Sequence, residues 1–351
     1  MRKIGIVGAF GFCALEETTG GQPVKTRTLY YALCRHYGDQ SIKFVETYKW
    51  KKNPLKMLIQ LICVIFSCSI IILLPAQNGI GIFLNILLRC KRKTTKIYYD
   101  VIGGWIAEKA RGDVTLQKQL KRIDGIWVET SSMKNDLSEL GINNTVVIPN
   151  FKDIKSLRYE DLKTIEGEKN SYRFCTFSRV MEEKGISDAI SAVKRINAES
   201  NRSIVSLDIY GPVDESYKNK FEQMIFGEEK TIKYKGIVDP SMSVETVRQY
   251  DALLFPTRYY TEGIPGTIID AYSAGVPIMT SLWVNSGDVF WEGETGWGYA
   301  FDDKDGIYNL IVRFIENPSS FFAMKRSCLD KSKLFSSEYV ARKIVDILEN
   351  G

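Results

Sequence analysis

The sequence predicts an α/β protein built from two Rossmann-like, doubly wound parallel-sheet domains facing across a cleft. Three observations carry that expectation. Short apolar runs alternate with helical patterns along the whole chain, a charged and aperiodic stretch over 151–170 splits the alternation in two, and 351 residues suffice for two cores. The expected boundaries are 1–165 for the first domain and 166–330 for the second, with a C-terminal helix over 331–351 packing back toward the first. In open parallel sheets ligands bind outside the carboxyl ends of the strands. Functional residues are therefore sought in the loops that leave strands.

The first strand is expected at 4–7, where Ile4-Gly-Ile-Val7 opens the chain at once and leaves no room for a signal peptide. Gly8-Ala-Phe-Gly11 lacks the G-x-G-x-x-G spacing of a dinucleotide fingerprint. Gly20 and Gly21 precede a helical pattern over 26–37 and would let backbone approach a ligand at a helix start; a flexible loop is the alternative. Lys25 and Arg27 stand in the first turn against the helix dipole, which points to a phosphate or an anionic acceptor. A second strand is expected at 42–46.

The stretch 57–74 has transmembrane length. Ser67-Cys-Ser69 interrupts it, however, Ile70-Ile-Ile is strand-like, and Pro75 closes it. A helix over 54–66 followed by a strand over 70–74 is preferred to a membrane anchor. Lys49-Trp-Lys-Lys52 and Lys56 edge that helix, a pattern suited to resting on an anionic membrane surface, or else a solvated charge run beside an interior helix. Further strands are expected at 96–101, 125–129 and 146–148. Asp100 and Gly103-Gly104-Trp105 lie at the exit of the first of these. In the second half, strands are expected at 172–177, 203–210, 231–235, 252–255 and 276–279, with helices at 186–196, 307–315, 319–334 and 338–349.

Composition narrows the chemistry. A net charge of +5 is too mild for a dedicated nucleic-acid binder. Seven scattered cysteines without a C-x-x-C pair fit a reducing, cytoplasmic setting and supply neither a zinc site nor a disulfide framework. The one histidine, His36, sits mid-helix between Arg35 and Tyr37, which argues against Ser-His-Asp, Cys-His and His-metal chemistry.

Two segments carry charge where a ligand would lie. Glu262-Gly-Ile-Pro-Gly-Thr-Ile-Ile-Asp270 places one carboxylate in a Gly-Pro-Gly turn and a second about one turn inside a helix. Helix-start amides attract phosphate, so Glu262 should face something neutral and hydroxyl-rich, such as a sugar, and Asp270 could accept from vicinal hydroxyls. A dipole-favoured acid plus a surface aspartate explains the pair equally well. Ser178-Arg179-Val-Met-Glu-Glu-Lys184-Gly185 leaves a strand and enters a helix. Arg179 and Lys184 there suit a diphosphate, unless they merely pair with Glu182 and Glu183.

Ser178-Arg179-x-x-x-Glu183-Lys184-Gly185 and Glu262-Gly-Ile-Pro-Gly-Thr-x-x-Asp270-Ala-x-x-x-Gly275-Val-Pro277 resemble the two signatures of the retaining family-4 glycosyltransferases of GT-B fold, of the type that builds bacterial surface and capsular polysaccharides. The resemblance extends over nearly the whole chain, through Gly20-Gly21, Gly103-Gly104-Trp105 and Pro149-Asn150. It implies that Arg179 and Lys184 hold the donor diphosphate and that Glu262 faces the donor sugar. The backbone of Gly263, Ile264, Pro265, Gly266 and Thr267 would hold sugar and phosphate, Asp270 the ribose, and Gly211 with Ile237 the nucleobase. Gly20 and Gly21 would approach the phosphates from the first domain, with Lys25, Asp100, Gly103, Gly104 and Trp105 on the acceptor side. Two departures stand out: Asp270 replaces the glutamate of the broad family, and the histidine many members carry near the first domain's catalytic edge is missing.

The resemblance thus implies a metal-independent retaining glycosyltransferase with no cofactor. It would move sugar from a nucleoside-diphosphate sugar to a glycan acceptor, expected to be lipid-linked, in the cytoplasm or peripherally at the inner face of the membrane. Two rivals remain at this point. One is a nucleotide-sugar epimerase or hydrolase on the same fold, which needs a catalytic His or carboxylate set. The other is a non-catalytic sugar-nucleotide-binding subunit of a polysaccharide assembly complex, which would have no reason to keep Arg179, Lys184, Glu262 and Asp270 together.

Overall fold

The structure, a computed structural model, describes residues 3–12, 21–75, 77, 79–153, 155–162 and 171–350. The chain divides into two compact units, Met1–Asp153 with Phe335–Gly351, and Ile154–Leu334. The hand-over thus falls at Asp153, ahead of residue 165, and the chain rejoins the first unit at Phe335.

The first unit holds a six-stranded sheet of β1 (Ile4–Gly8), β2 (Ile42–Glu46), β3 (Ile70–Leu74), β4 (Lys96–Asp100), β5 (Gly125–Val128) and β6 (Thr145–Val147), in the order β2-β1-β3-β4-β5-β6. Every pairing is parallel. A parallel sheet is covered on both faces, so its central strands read as continuous apolar runs; β3, Ile-Ile-Ile-Leu-Leu, is buried at every position. One face packs Val7, Ile71 and Leu73 against Leu61, Val64 and Ile65 of helix Pro54–Ser67. The other packs Ile4, Ile6, Ile70 and Ile72 against Leu29 and Leu33 of helix Gly21–Tyr37 and Val340, Ile344 and Leu348 of the last helix, Ser337–Asn350. Where the chain leaves and rejoins this unit, the Lys152 amide donates to the Phe335 carbonyl (3.1 Å) and the Ser337 amide to the Lys152 carbonyl (3.0 Å).

The 57–74 stretch resolves into a helix and a strand. Asn53 caps the helix by accepting from the Lys56 amide, Pro54 takes the first turn, where a missing N–H costs nothing, and the chain is extended at Cys68 before β3 begins. Among the described residues, no helix is long and apolar enough to cross a membrane.

The second unit holds β7 (Tyr172–Phe177), β8 (Val205–Tyr210), β9 (Ile232–Gly236), β10 (Ala252–Phe255), β11 (Ile278–Leu282) and β12 (Gly296–Ala300), in the order β12-β11-β10-β7-β8-β9, again all parallel. Sequence periodicity misses β12, whose Gly296-Trp-Gly-Tyr-Ala300 takes its strand geometry from pairing with β11. The helix expected over 319–334 is two, Pro318–Phe322 and Lys325–Ser332. From β7 the chain winds outward through β8 and β9, then returns to lay β10 on the other side of β7. The crevice at such a reversal, at the carboxyl ends of the strands, is where open α/β sheets take ligands.

Candidate functional site

Both charged segments leave the two strands that flank this reversal. The Ser178–Gly185 corner follows β7, and residues 256–266 follow β10. The Lys184 ammonium donates to Glu262 Oε2, and the two side chains are 18% and 15% exposed. The ammonium also lies 5.9 Å from the centre of the Phe255 ring. Thr257 ties the loops together, its hydroxyl 3.4 Å from the Glu183 carbonyl and 3.5 Å from Glu262 Oε2. Asn285 Nδ2 donates to the Glu262 carbonyl at 2.6 Å.

Gly185 allows this approach. Its φ is +64°, and a Cβ there would lie 1.8 Å from the Pro256 carbonyl oxygen. Only glycine lets the start of helix Ile186–Glu199 sit so close to the β10 exit.

A local surface pairing of the corner's own charges is not what forms. Glu182 accepts from Lys220 (2.5 Å) and Arg258 (2.9 Å), and Arg258 also forks onto Asp188, whose hydrogen bonds hold the guanidinium pKa above its ordinary value. Arg179 is exposed, and among the described residues its guanidinium has no hydrogen bond or ion pair. Its charge nonetheless adds to the Ser216 hydrogen bonds that hold the Asp214 carboxyl below the usual range.

Downstream, Gly263, Ile264 and Pro265 are buried, and helix Gly266–Ser273 starts without a side-chain cap. The Thr267 hydroxyl, in its first turn, is buried with no hydrogen-bond partner. Asp270 is 2% exposed, which excludes the surface-aspartate alternative. Gly211, at φ +126°, carries the β8 exit past the Ser178 carbonyl, which a Cβ would meet at 2.0 Å. Its amide donates to the Gly236 carbonyl (2.9 Å) and its carbonyl accepts from the Tyr234 hydroxyl (2.9 Å), beside Ile237, which is 56% exposed. The structure therefore joins Lys184 to Glu262 and Gly211 to the β9 exit.

In the first unit, Gly21 opens helix Gly21–Tyr37, and Gln22 Nε2 donates to the Leu74 carbonyl at the β3 exit. Gly20 lies outside the described residues. Lys25 differs from expectation: it is 2% exposed, and its ammonium meets Asp100 (2.9 Å), Glu129 (3.1 Å) and the Val101 carbonyl (3.2 Å). Burial alone would lower its pKa, but the two carboxylates outweigh burial and hold it above the ordinary lysine value. Burial pushes the Asp100 carboxyl up, and repulsion from Glu129 adds to this, outweighing the opposing pull of Lys25. The helix begins at Gly21, which puts Lys25 beyond its first turn, and this lysine answers carboxylates of its own chain rather than an external anion. Arg27 likewise donates to the Phe10 carbonyl (2.7 Å).

Glu46 accepts from the amides of Phe10 (2.9 Å), Gly11 (2.8 Å) and Phe12 (3.3 Å), so these three donors are occupied by an internal carboxylate. Gly103, at φ +81°, and Gly104 lead into helix Ile106–Gly112, with Trp105 Nε1 held by the Ile102 carbonyl (2.8 Å). Sequence reasoning passed over Glu129, Glu46, Thr257 and Asn285. The one signal for the first two is a carboxylate at or just past the end of an apolar strand. His36 lies half exposed on the outside of its helix. No group of His, Cys, Asp and Glu suited to a metal ion occurs among the described residues.

Residues 171–317, which contain the second unit's strand exits from Ser178 to Asn285, match the family model described as Glycosyl transferases group 1. No curated protein matches the chain. Similar solved structures include Anabaena HepE in complex with UDP (14% identity, TM-score 0.76, 100% of each chain covered). Sucrose-phosphate synthase from Thermosynechococcus elongatus is similar too (14%, TM-score 0.77, 100% of this chain and 99% of the other). So is the lipopolysaccharide outer core galactosyltransferase WaaB (15%, TM-score 0.70, 100% and 99%). At such identities the likeness establishes the fold, GT-B, and the group 1 glycosyltransferase model adds a match confined to residues 171–317.

Proposed function

We propose that the protein is a retaining glycosyltransferase that moves a sugar from a nucleoside-diphosphate sugar to a glycan acceptor of surface-polysaccharide type, lipid-linked, without a metal. The observation that carries this reading is the juxtaposition of Lys184 and Glu262 at the sheet's reversal point, with Arg179 exposed on the same corner. A diphosphate would take Lys184 and Arg179 as counter-charges and the start of helix Gly266–Ser273 as its amide donors. The unpartnered Thr267 hydroxyl supports a ligand there. Glu262, released from Lys184, would accept from the sugar hydroxyls, and Asp270 from the ribose, after side-chain rearrangement at its buried position. Gly211 and Ile237 would frame the base.

In the transfer itself, the bond from the sugar's anomeric carbon to phosphate breaks and a bond to the acceptor oxygen forms on the same face. The acceptor's proton passes to the departing phosphate oxygen. Arg179 and Lys184 stabilise the charge that develops on the diphosphate, so no side-chain base is required. The first unit's strand-end edge at Gly103, Gly104 and Trp105 is proposed for the acceptor. HepE was solved with UDP and with UDP-glucose, which makes uridine donors the first to test.

The experiment is a thermal-shift series with UDP, GDP, ADP, CMP and their sugar conjugates, with and without divalent cation. A ligand bound by the folded state alone raises the melting temperature by mass action. A shift confined to one nucleotide family and independent of cation supports the reading. No shift with any of them counts against it, and against the sugar-nucleotide-binding rival as well.

A further inference from the structure

Helix Pro54–Ser67 is apolar over more of its circumference than the first unit covers. At 100° per residue, Leu61, Val64 and Ile65 fall on the arc turned to the sheet and are buried. Leu55, Leu58, Ile59, Ile62 and Phe66 fall together on the adjoining arc. They are 71%, 45%, 66%, 47% and 64% exposed. Five large apolar side chains on one unpartnered stripe are a marker of an interaction surface.

Charge says what the surface meets. Lys49, Lys51, Lys52 and Lys56 are exposed around the helix start, with Trp50 among them. No acidic residue occurs between Glu46 and Asp100. The helix has no acid in its first turn either, so the lysines crowd the positive end of its dipole. That arrangement costs stability unless an anion lies alongside. A second copy of the chain docking through this stripe would bring like charges together. A lipid surface bearing anionic headgroups offers opposite charge to the lysines and an acyl boundary to the stripe at once. With 14 residues, the helix spans roughly 21 Å at about 1.5 Å per residue, short of the roughly 30 Å hydrocarbon core, so it would lie in the plane of the surface.

We propose that this face docks the protein on an anionic lipid bilayer, with the Leu55–Phe66 stripe in the acyl boundary and the four lysines on headgroup phosphates. The inference does not depend on sugar transfer, and its test reads lipid binding without any donor.

The full-length protein is sedimented with vesicles of phosphatidylcholine alone and with vesicles carrying about 30 mol% phosphatidylglycerol. The expected result is pelleting with the anionic vesicles only, weakened by high salt. Ile59→Glu with Phe66→Glu should cut the bound fraction at least about tenfold, because two apolar anchors become charges at the acyl boundary. Lys51→Glu with Lys52→Glu should remove the preference for anionic lipid. Both variants change exposed residues and should keep the wild-type melting temperature. Wild type left in the supernatant with both vesicles overturns the proposal, as does undiminished pelleting of the Ile59/Phe66 variant. A wild-type dimer on light scattering that this variant turns into a monomer assigns the face to a second copy instead. Vesicle binding without any nucleotide shift would leave this surface standing and remove only the transferase reading.

Discussion

Lys184 donates to Glu262, so a diphosphate bound as proposed would exchange one anionic partner for another. Lys184→Ala and Arg179→Ala should each lower turnover by about a hundredfold to a thousandfold, as loss of a transition-state counter-charge does. Folding should survive, because both positions lie at a strand exit outside the core. Initial rates of nucleotide release, set beside thermal melts, check this; wild-type turnover in either variant removes the diphosphate assignment. Lys25 shows the opposite balance. It is buried between Asp100 and Glu129, and Lys25→Met would remove the ammonium from both carboxylates. The expected loss is about 3–5 kcal/mol in urea titration, the usual penalty for breaking a buried pair by removing one partner. Lys25→Met combined with Glu129→Gln should recover part of it, since fewer buried charges then lack a counter-ion. No recovery would mean that the aliphatic stem of Lys25, not its charge, holds the packing.

Among the elements, the corner after β7 is set by a glycine rather than by its charges. Gly185→Ala would force a Cβ onto the Pro256 carbonyl at a left-handed φ. It should destabilise the second unit by about 1–3 kcal/mol and depress turnover through misplaced Lys184. Gly21→Ala meets nothing within 4 Å and starts a helix, so it should leave stability unchanged or slightly raised. Parallel melts of the two variants give the contrast; equal losses would mean that backbone strain is not what singles out Gly185.

This difference also marks how far the sequence was legible. The strands could be read because a strand buried on both faces is a continuous apolar run, as Ile70–Leu74 is. β12 could not, because two glycines dilute its pattern and its pairing partner supplies the geometry. Arg179, Lys184, Glu262 and Asp270 were visible as charges near strand ends and helix starts. The contact between Lys184 and Glu262, 78 residues apart, was not. Thr257, Asn285 and Glu129 acquire their meaning only from neighbours distant in sequence. Lys25 misled for the same reason: its counter-charges arrive on β4 and just past β5.

At the scale of the whole molecule, the last helix is fastened to the first unit at both polar and apolar contacts. Asp153 accepts from Arg35 (2.8 Å) and from the Ser337 hydroxyl (2.8 Å). Burial alone would raise its pKa, but these partners outweigh burial and leave it below the ordinary value of 3.8. A carboxyl depressed in the folded state adds stability that is present above its unfolded pKa and fades as pH falls through the folded one. Asp153→Asn should therefore flatten the loss of stability below pH 3.8. It should also lower stability slightly near neutrality, with urea midpoints between about pH 6 and pH 3 as the readout. An unchanged acid limb would assign that limb to other carboxylates.

The pairing of Lys152 with Phe335 and Ser337 has a consequence for synthesis. The second unit is one uninterrupted stretch, complete in sequence before Phe335 is added. The first unit is not, because Val340, Ile344 and Leu348, which cover its sheet, are translated after the whole second unit. Until then the face lined by Ile4, Ile6, Ile70 and Ile72 stays partly open to chaperones and to other nascent chains. A stop codon after residue 334 would make that interval permanent. Limited proteolysis should then digest the first half of the chain and spare the second.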